Sequence, residues 1–357
     1  MNLVILVLAL SILGVFVIGS AEPDNQSRQI IGLIIALTAM VVVSLIDYVW
    51  LMDFYWLIYG FVILILGAVL IIGTEVNGAT RWINLGFTNF QPSELAKILL
   101  ILFFAKFIAE HEDDINDKKT LLKYAALCAV PLALIIAEPN LSTTICTALV
   151  LCLLIYIGGL SYKFIGTVLV ILIPTAIIFL AIVVQPNQPF LQDYQQERIL
   201  AFLEPEKYAD DGAYQQRNSV MAIGSGQLTG KGYKTNQISS VKNANFISEQ
   251  ETDFIYAVIG EEFGFIGSSA VVILLLLISL ECFAVARKAK DTAGAVIATG
   301  IGALIGFQSF INIGVVTYLL PNTGLPLPFV SYGLTSLISS FIGIGLVLNV
   351  GLQCKQK

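Results

Sequence analysis

The sequence has few charged residues and a single histidine. Only 12% of its 357 residues are charged and 57% are hydrophobic, whereas a soluble domain carries roughly 25% charged residues. The one histidine, His111, lies in a charged loop, so a histidine triad or a histidine-bound metal is almost excluded. These shortages indicate an integral membrane protein.

The five cysteines show no paired spacing. Four lie in apolar segments, one lies in the C-terminal tail, and none belongs to a CxxC motif; they are Cys128, Cys146, Cys152, Cys282 and Cys354. Such cysteines are typical of small hydrophobic filling, not of disulfides or a zinc site. The net charge of −6 is spread over separate short loops, and we expect no nucleic acid among the partners.

Long apolar runs are what the sequence has in abundance. Runs of about 17–25 residues are long enough to cross a bilayer as helices. Ten of them fall near 3–19, 29–46, 50–73, 93–109, 121–137, 141–159, 162–184, 254–280, 293–320 and 326–350. The first lacks the basic start of a signal peptide, so we count it as a helix. The prediction is an all-α polytopic membrane protein with about ten transmembrane helices, forming one integral membrane domain over 1–357.

The distribution of lysine and arginine predicts which loops face the cytoplasm. Basic residues are enriched in cytoplasmic loops, and ten spans place both termini on the same side. With the termini inside, the short outer loops hold only Arg28 and Arg81. The inner loops hold Lys106, Lys118, Lys119, Lys123, Lys163, Arg287, Lys288, Lys290, Lys355 and Lys357. We therefore expect cytoplasmic termini and a large extracellular loop over 185–253, between helices 7 and 8.

This topology brings the segments richest in polar residues, glycine and proline to the outer face. They are 74–92, 138–140, 185–253 and 321–328. Three prolines between 321 and 328 break any helix there. Irregular backbone at membrane depth is tolerated only when it is packed in protein or lines a cavity. Function is thus predicted at the outer leaflet, with the last of these segments as a cavity wall.

Two charges, Glu94 and Lys97, are predicted inside the fourth span. They are three residues apart, so they share one helical face and can pair. A charge at mid-bilayer costs on the order of 2.5–3.5 kcal/mol, so Lys97 needs a partner or a wet cavity. The pair either has only a structural role, as a salt bridge that stabilises this helix, or takes part in function. Arg81, beside Trp82, is either an interfacial anchor or a phosphate ligand through its fork of donors.

The glycine-rich stretch 222–232 invites comparison with a phosphate-binding loop. It does not fit that pattern, because Lys231 is followed by Gly232 and not by serine or threonine. A backbone nest for a substrate diphosphate and a flexible connecting loop both remain open. The turn that contains Glu138 and Asn140 reads most simply as a tight turn followed by a helix start.

Asp253 lies where the long polar loop meets the eighth apolar run. A carboxylate there is held beside the lipid headgroups, where an enzyme acting on a lipid-linked substrate needs a base. Thr252 or Asp253 could also be a simple helix cap. Glu261 and Glu262 follow about two turns deeper, which capping does not explain. Acids inside a membrane segment that face a cavity are functional candidates.

Taken in this order, the clusters resemble the SEDS family of membrane proteins (RodA, FtsW, SpoVE). The match covers essentially the whole chain, and its most specific parts are 91–97, 222–232, 252–262 and 321–333. The stretch 198–207, which begins with Arg198, looks more like RodA than FtsW, as do Lys231 and its flanking glycines. The resemblance implies a ten-helix SEDS fold in the bacterial cytoplasmic membrane and polymerisation of lipid II into glycan strands for cell-wall elongation.

The family resemblance also implies roles for individual residues. Asp253 matches the family's essential aspartate, Glu94 and Lys97 its paired charges, and Arg81 the arginine before its Trp-Ile pair. A class B penicillin-binding protein transpeptidase is the implied partner. Asn140, Arg217 and Leu334 depart from the family's usual residues, which blurs the subfamily more than the activity.

The favoured hypothesis is an inverting glycosyltransferase in which Asp253 accepts a proton from the acceptor sugar. The leaving diphosphate needs positive charge, which Arg81, Arg198, Lys231 or a bound divalent cation (Mg²⁺ or Mn²⁺) would supply. The rivals are a lipid-linked precursor flippase, with a path lined by charges such as Glu94, and a scaffold for the transpeptidase without its own activity. The division and sporulation branches of the family also remain alternatives.

Overall fold

The chain folds into a bundle of long helices. The structure is a computed structural model that describes residues 2–76, 79–84, 86, 89–183, 185, 193–204, 206–208, 214–234 and 249–354. The helices are α1 (Asn2–Ala21), α2 (Pro23–Leu45), α3 (Tyr48–Asp53), α4 (Tyr55–Ile72), α5 (Pro92–Glu110), α6 (Lys118–Ala137), α7 (Leu141–Ile157), α8 (Tyr162–Val183), α9 (Asp193–Leu203), α10 (Tyr214–Ser225), α11 (Ile255–Ala286), α12 (Thr292–Val316) and α13 (Leu334–Leu352). The predicted all-α polytopic fold is confirmed.

Ten helices of the described chain have 17 residues or more, and each overlaps one of the ten apolar runs. Seven of them are both long and apolar enough to cross a membrane: α1, α2, α4, α6, α11, α12 and α13. α7 is apolar but has only 17 residues. α5 is 19 residues long and carries Glu94 and Lys97 among its apolar residues.

α12 forms the centre of the bundle, where it packs against α11, α5 and α7. In its most apolar window 72% of the residues are buried, compared with 22% in α2, α4 and α6, which present apolar side chains on the outside. The succession of helices sets two ends of the bundle. We call them the Asp253 end, which holds the described residues of 73–91, 138–140, 226–234, 249–254 and 317–333, and the His111 end, which holds 46–54, 111–117, 158–161 and 287–291. Residues 235–248 lie outside the described part of the chain.

A small antiparallel sheet at the Asp253 end was missed by the sequence analysis. β1 (Thr74–Val76) pairs with β2 (Ala79–Asn84), and β2 pairs with β3 (Asn89–Phe90). Strands of two to six residues leave little periodic signal in a sequence. The sheet matters because Arg81 lies on its central strand β2.

The predicted start of the last span, near residue 326, was wrong. α13 begins at Leu334, after the proline-rich segment 321–333 has run as irregular chain. Prolines lack the amide hydrogen that a helix interior needs, and Gly333 has a φ of 158°, which a helix does not allow. This segment packs within the protein, as irregular backbone at that depth requires.

α11 is broken at Gly264, where φ is 63° and ψ is −157°. The glycine-rich loop closes the break: Gln227 O accepts from Phe265 N at 2.8 Å, and Glu261 O accepts from Lys231 N at 2.9 Å. A Cβ at Gly230 would lie 2.1 Å from Glu262 O, so only glycine allows this approach. The loop therefore bridges the two pieces of the broken helix, and we call residues 226–232 the splint.

Candidate active site

Asp253 lies two residues before α11, but it is not the cap of that helix. The capping position is Phe254, and no side chain hydrogen-bonds the first amides there. The Thr252 hydroxyl donates instead to Glu249 O at 3.0 Å. The helix-cap interpretation is therefore wrong, because the Asp253 carboxyl group is not engaged in capping α11.

The backbone around Asp253 is fastened to α12 and to the proline-rich segment. Asn312 Nδ2 donates to Asp253 O at 2.8 Å and to Leu325 O at 2.6 Å. Ser331 Oγ donates to Thr252 O at 2.5 Å, and Tyr332 N donates to Glu251 O at 2.8 Å. Because several side chains and amides share this task, the carboxylate is held at a fixed place.

The carboxylate itself lies against Gly324. That glycine has a φ of 70°, and a Cβ added there would lie 3.0 Å from Asp253 Oδ2. Residue Asp253 keeps partial solvent exposure, so a substrate hydroxyl can approach it. The glycine thus serves two needs, a left-handed backbone and room for the carboxylate.

Burial, neighbouring acids and two arginines determine the electrostatic surroundings of Asp253. Exclusion of water by the surrounding protein, followed by the negative charge of Glu249, raises the pKa of Asp253 to about 6. The positive charges of Arg198 and Arg81 act in the opposite direction. A carboxylate with this pKa is still largely ionised at pH 7 but is a stronger base than an ordinary aspartate.

The two arginines come from different parts of the chain. Arg81 is half-buried on β2, and its guanidinium donates to Pro139 O in the turn between α6 and α7. Arg198 belongs to α9, which contacts the end of α12, where Tyr318 Oη donates to Ala201 O at 3.0 Å. The structure thus brings together three of the predicted site residues, Asp253, Arg81 and Arg198.

Glu94 and Lys97 form a buried ion pair that reaches the same region through α12. Lys97 Nζ lies 2.7 Å from Glu94 Oε1 and 2.8 Å from Gln308 Oε1. The side chains of Lys97 and Glu94 are only 2% and 3% exposed. Gln308 Nε2 donates to Pro326 O at 2.9 Å. The pair therefore supports the proline-rich segment that holds Asp253.

Gln308 was not singled out from the sequence. It lies one helical turn before Asn312, so both amides point from α12 towards the same segment. Two amides four residues apart in an apolar helix were the available signal. A cavity of about 10 Å³, lined by Lys97, Gln308 and Pro328 among others, lies beside the pair and has room for about one water molecule.

Lys231, the remaining predicted site residue, lies at the splint. Its Nζ is 2.7 Å from Glu261 Oε1, with the two side chains 12% and 1% exposed. The neighbouring Glu262 accepts a hydrogen bond from Ser20 Oγ at 2.5 Å. These acids therefore anchor the broken helix to the glycine-rich loop and to α1, and substrate binding by Lys231 stays a prediction.

The three departures from the family's usual residues have separate structural places. Asn140 caps α7, with its Oδ1 accepting from Thr143 N at 3.3 Å. Arg217 is exposed on α10. Leu334 begins α13 and its side chain fills the space beside Gly32 on α2. None of the three contacts the Asp253 carboxylate.

Known proteins resemble this chain along its whole length. The model of the FtsW, RodA and SpoVE family, described as cell cycle protein, matches residues 1–356. The peptidoglycan glycosyltransferase MrdB of Escherichia coli is 34% identical over 98% of this chain and 92% of its own.

Two solved structures extend the comparison to the fold. A chain from a peptidoglycan synthase complex that coordinates polymerization and crosslinking is 29% identical, with a TM-score of 0.82 over 100% of this chain and 98% of its own. The rod shape determining protein RodA of Thermus thermophilus is 28% identical, with a TM-score of 0.73 over 100% and 97%. With its sequence matched from end to end and its helices superimposed on these relatives, the chain belongs to the FtsW, RodA and SpoVE family.

Proposed function

We propose that this peptidoglycan glycosyltransferase polymerises lipid II into glycan strands, with Asp253 as the general base. The glycosyltransferase activity follows from the family and from the relative MrdB. The observation that supports the residue assignment is the Asp253 carboxylate itself, partly exposed, fixed through Asn312 and influenced by two arginines. The names of MrdB and RodA favour a role in elongation and rod shape.

In the proposed reaction the acceptor sugar hydroxyl attacks the anomeric carbon of the donor. Asp253 takes the hydroxyl proton as the new bond forms, and the lipid diphosphate leaves from the opposite face, so the anomeric configuration inverts. A positioned base contributes typically 10²–10⁴-fold in rate. The pKa of about 6 leaves most Asp253 carboxylates ready to accept that proton at neutral pH.

The leaving diphosphate needs positive charge, and Arg81 and Arg198 are the cations whose fields already reach Asp253. No group of three His, Cys, Asp or Glu side chains is arranged for a metal within the described ranges. Mg²⁺ is commonly bound by one or two carboxylates plus substrate phosphates. A divalent cation would therefore have the donor diphosphate as its main ligand, where it would neutralise charge on the leaving group.

The proposed orientation puts the Asp253 end outside the cell and both termini in the cytoplasm. The positive-inside distribution supports it, since the His111 end carries Arg287, Lys288 and Lys290. Lipid II would then meet Asp253 at the outer leaflet. A class B penicillin-binding protein is the proposed partner, and the relative within a peptidoglycan synthase complex supports it.

The test is glycan polymerisation from lipid II by purified protein, comparing wild type with Asp253→Asn. We expect a loss of at least about 10²-fold, because the amide cannot accept the proton. Glu251→Gln is the matched control: it removes a neighbouring acid and should keep most of the activity. Thermal unfolding of each variant checks that the fold is intact.

The same assay separates the rival functions. Wild-type activity in Asp253→Asn would rule out the role of that residue. A flippase would translocate lipid II in liposomes without forming polymer, and the closed Glu94, Lys97 and Gln308 network offers it no open path among the described residues. A pure scaffold would support growth of a deletion strain as the Asp253→Asn variant.

A further inference from the structure

Glu138 is a buried acid that the proposed reaction does not use. Its side chain is 0% exposed, and neither carboxyl oxygen has a hydrogen-bond partner among the described residues. An ionised carboxylate without a partner is among the most costly groups to bury, whereas a neutral carboxylic acid costs far less. Its position therefore favours the protonated form.

The local backbone adds to this preference. Glu138 is the C-terminal cap of α6, and its amide donates to Leu134 O at 3.1 Å. The carboxyl end of a helix carries partial negative charge and disfavours an anion. The last turn of α6 holds no basic residue, and the neighbouring α4 and α7 contain no Asp, Glu, Lys or Arg.

Among the described residues, Arg81 is the cation whose charge acts on this acid. Arg81 donates to Pro139 O, the carbonyl directly after Glu138, and its charge acts on Glu138 as well as on Asp253. A single guanidinium is thus shared between two acids from different segments. If Glu138 ionises, it competes with Asp253 for the charge of Arg81.

We propose that Glu138 is a positioning residue that acts as a neutral acid and leaves the charge of Arg81 to Asp253 and the donor diphosphate. When Glu138 loses its proton to solvent, it pairs with Arg81 and draws the guanidinium away from the reacting groups. The inference rests on the proposed function for its effect on rate, but the protonation of Glu138 is independent of that function.

The pH dependence follows from two acids with opposite requirements. Asp253 must be ionised, so activity rises as pH passes its pKa of about 6. Glu138 must be neutral. Burial raises its pKa to about 8, against the opposing effect of the positive charge of Arg81. Activity should therefore fall as pH rises through about 8, which gives a bell-shaped profile whose alkaline limb belongs to Glu138.

The experiment measures polymerisation of lipid II from pH 5 to pH 10 in wild type and Glu138→Gln. Glutamine keeps the shape and neutrality of the protonated acid, so we expect activity near wild type at pH 7. At one pH unit above its pKa the acid is about nine-tenths ionised, so the variant should exceed wild type by about tenfold there. Glu249→Gln is the control, because it should move the acid limb and leave the alkaline limb in place.

A second measurement does not depend on activity. Infrared titration of the purified proteins should show one protonated carboxyl at pH 7 in wild type that is missing in Glu138→Gln. An alkaline limb that stays in place in Glu138→Gln overturns the proposal, and so does an unchanged infrared spectrum. If no variant polymerises lipid II while the infrared band behaves as expected, the proposed function fails and the assignment of Glu138 as a neutral acid survives.

Discussion

The two ends of the helix bundle are built in different ways. At the His111 end, three hydrogen bonds join side chains of different segments: Tyr48 Oη donates to Asp291 at 2.9 Å, Tyr55 Oη to Glu110 at 2.9 Å, and Thr292 Oγ1 to Glu112 at 2.9 Å. Amide-to-carbonyl bonds also occur there, such as Asn116 Nδ2 to Gly159 O at 3.0 Å. At the Asp253 end, side-chain amides such as those of Asn312 and Gln308 donate hydrogen bonds to backbone carbonyls. The first arrangement links complete helices, whereas the second replaces hydrogen bonds that broken helices lack.

The backbone shows the same contrast. The described residues with positive φ gather at or against the Asp253 end, among them Gln227, Glu249, Tyr318, Phe329 and Gly324. Gly159 is the described example at the His111 end. Strained backbone persists only where its surroundings over-determine it. This chain thus concentrates irregular structure, and the polar side chains that stabilise it, around one carboxylate.

The largest effect on stability should come from removing a buried cation. Lys97→Met leaves Glu94 as an unpaired charge in the bundle, which typically costs about 3–5 kcal/mol. Lys106→Met is the matched control on the same helix, since its partner Glu110 lies at 3.3 Å in a more exposed pair. Chemical unfolding in detergent measures both. Equal losses of unfolding free energy would break the contrast between the ends.

A smaller change tests how closely the backbone fits the carboxylate. In Gly324→Ala the new methyl group would press on Asp253 Oδ2, which would have to shift by a few tenths of an ångström. Since a misplacement of about 1 Å can cost 10²-fold in rate, we expect a loss of several-fold. Gly86→Ala is the control, because Gly86 has a φ of 87° with nothing within 4 Å of a new Cβ. Both variants bear the left-handed strain. We expect only the first to lose polymerisation, and equal losses would assign the effect to strain alone.

The electrostatic part of the comparison is tested by Glu249→Gln. Removing this negative charge lowers the pKa of Asp253, because the charge raises it in the wild type. Asp253 must be ionised to act, so the variant should keep more of its activity as pH falls below about 6. Glu112→Gln at the His111 end is the control. An unchanged acid limb in Glu249→Gln would show that burial alone sets this pKa.

The smallest effect is expected at the His111 end. Tyr55→Phe removes the exposed hydrogen bond to Glu110, and exposed polar contacts of this kind are worth within about 0.5 kcal/mol. Polymerisation should be unchanged within error, and the melting temperature should move by a degree or two at most. A large loss of activity in Tyr55→Phe would show that the two ends are coupled.

The sequence was most informative where single side chains or long runs carry the signal. Ten apolar runs predicted the ten long helices, because spanning a bilayer requires an uninterrupted apolar stretch. Asp253 was identified by its place at a polar-to-apolar boundary and by the family's motif. Arg81 and Arg198 were named only as possible sources of positive charge, since no local pattern says that residues of β2 and α9 both act on Asp253.

Features that arise from contacts between distant segments could not be predicted. The link from Lys97 through Gln308 to Pro326 joins residues more than 200 positions apart. Glu138 looked like part of an ordinary turn, because burial and the lack of a partner are properties of the folded chain. The break at Gly264 was hidden within an apolar run that reads as one helix.

The splint at Gly264 bears on how the protein is made. Residues 226–232 precede α11 in the chain, so during synthesis, which proceeds from the N-terminus, they emerge before the helix that they complete. The 32 residues of α11 need not enter the bilayer as one rod of about 48 Å. The segment after Gly264 can insert first as a span of ordinary length, while Lys231 and its glycines receive the preceding turns. The two pieces of α11 thus dock on a loop that precedes them in the chain.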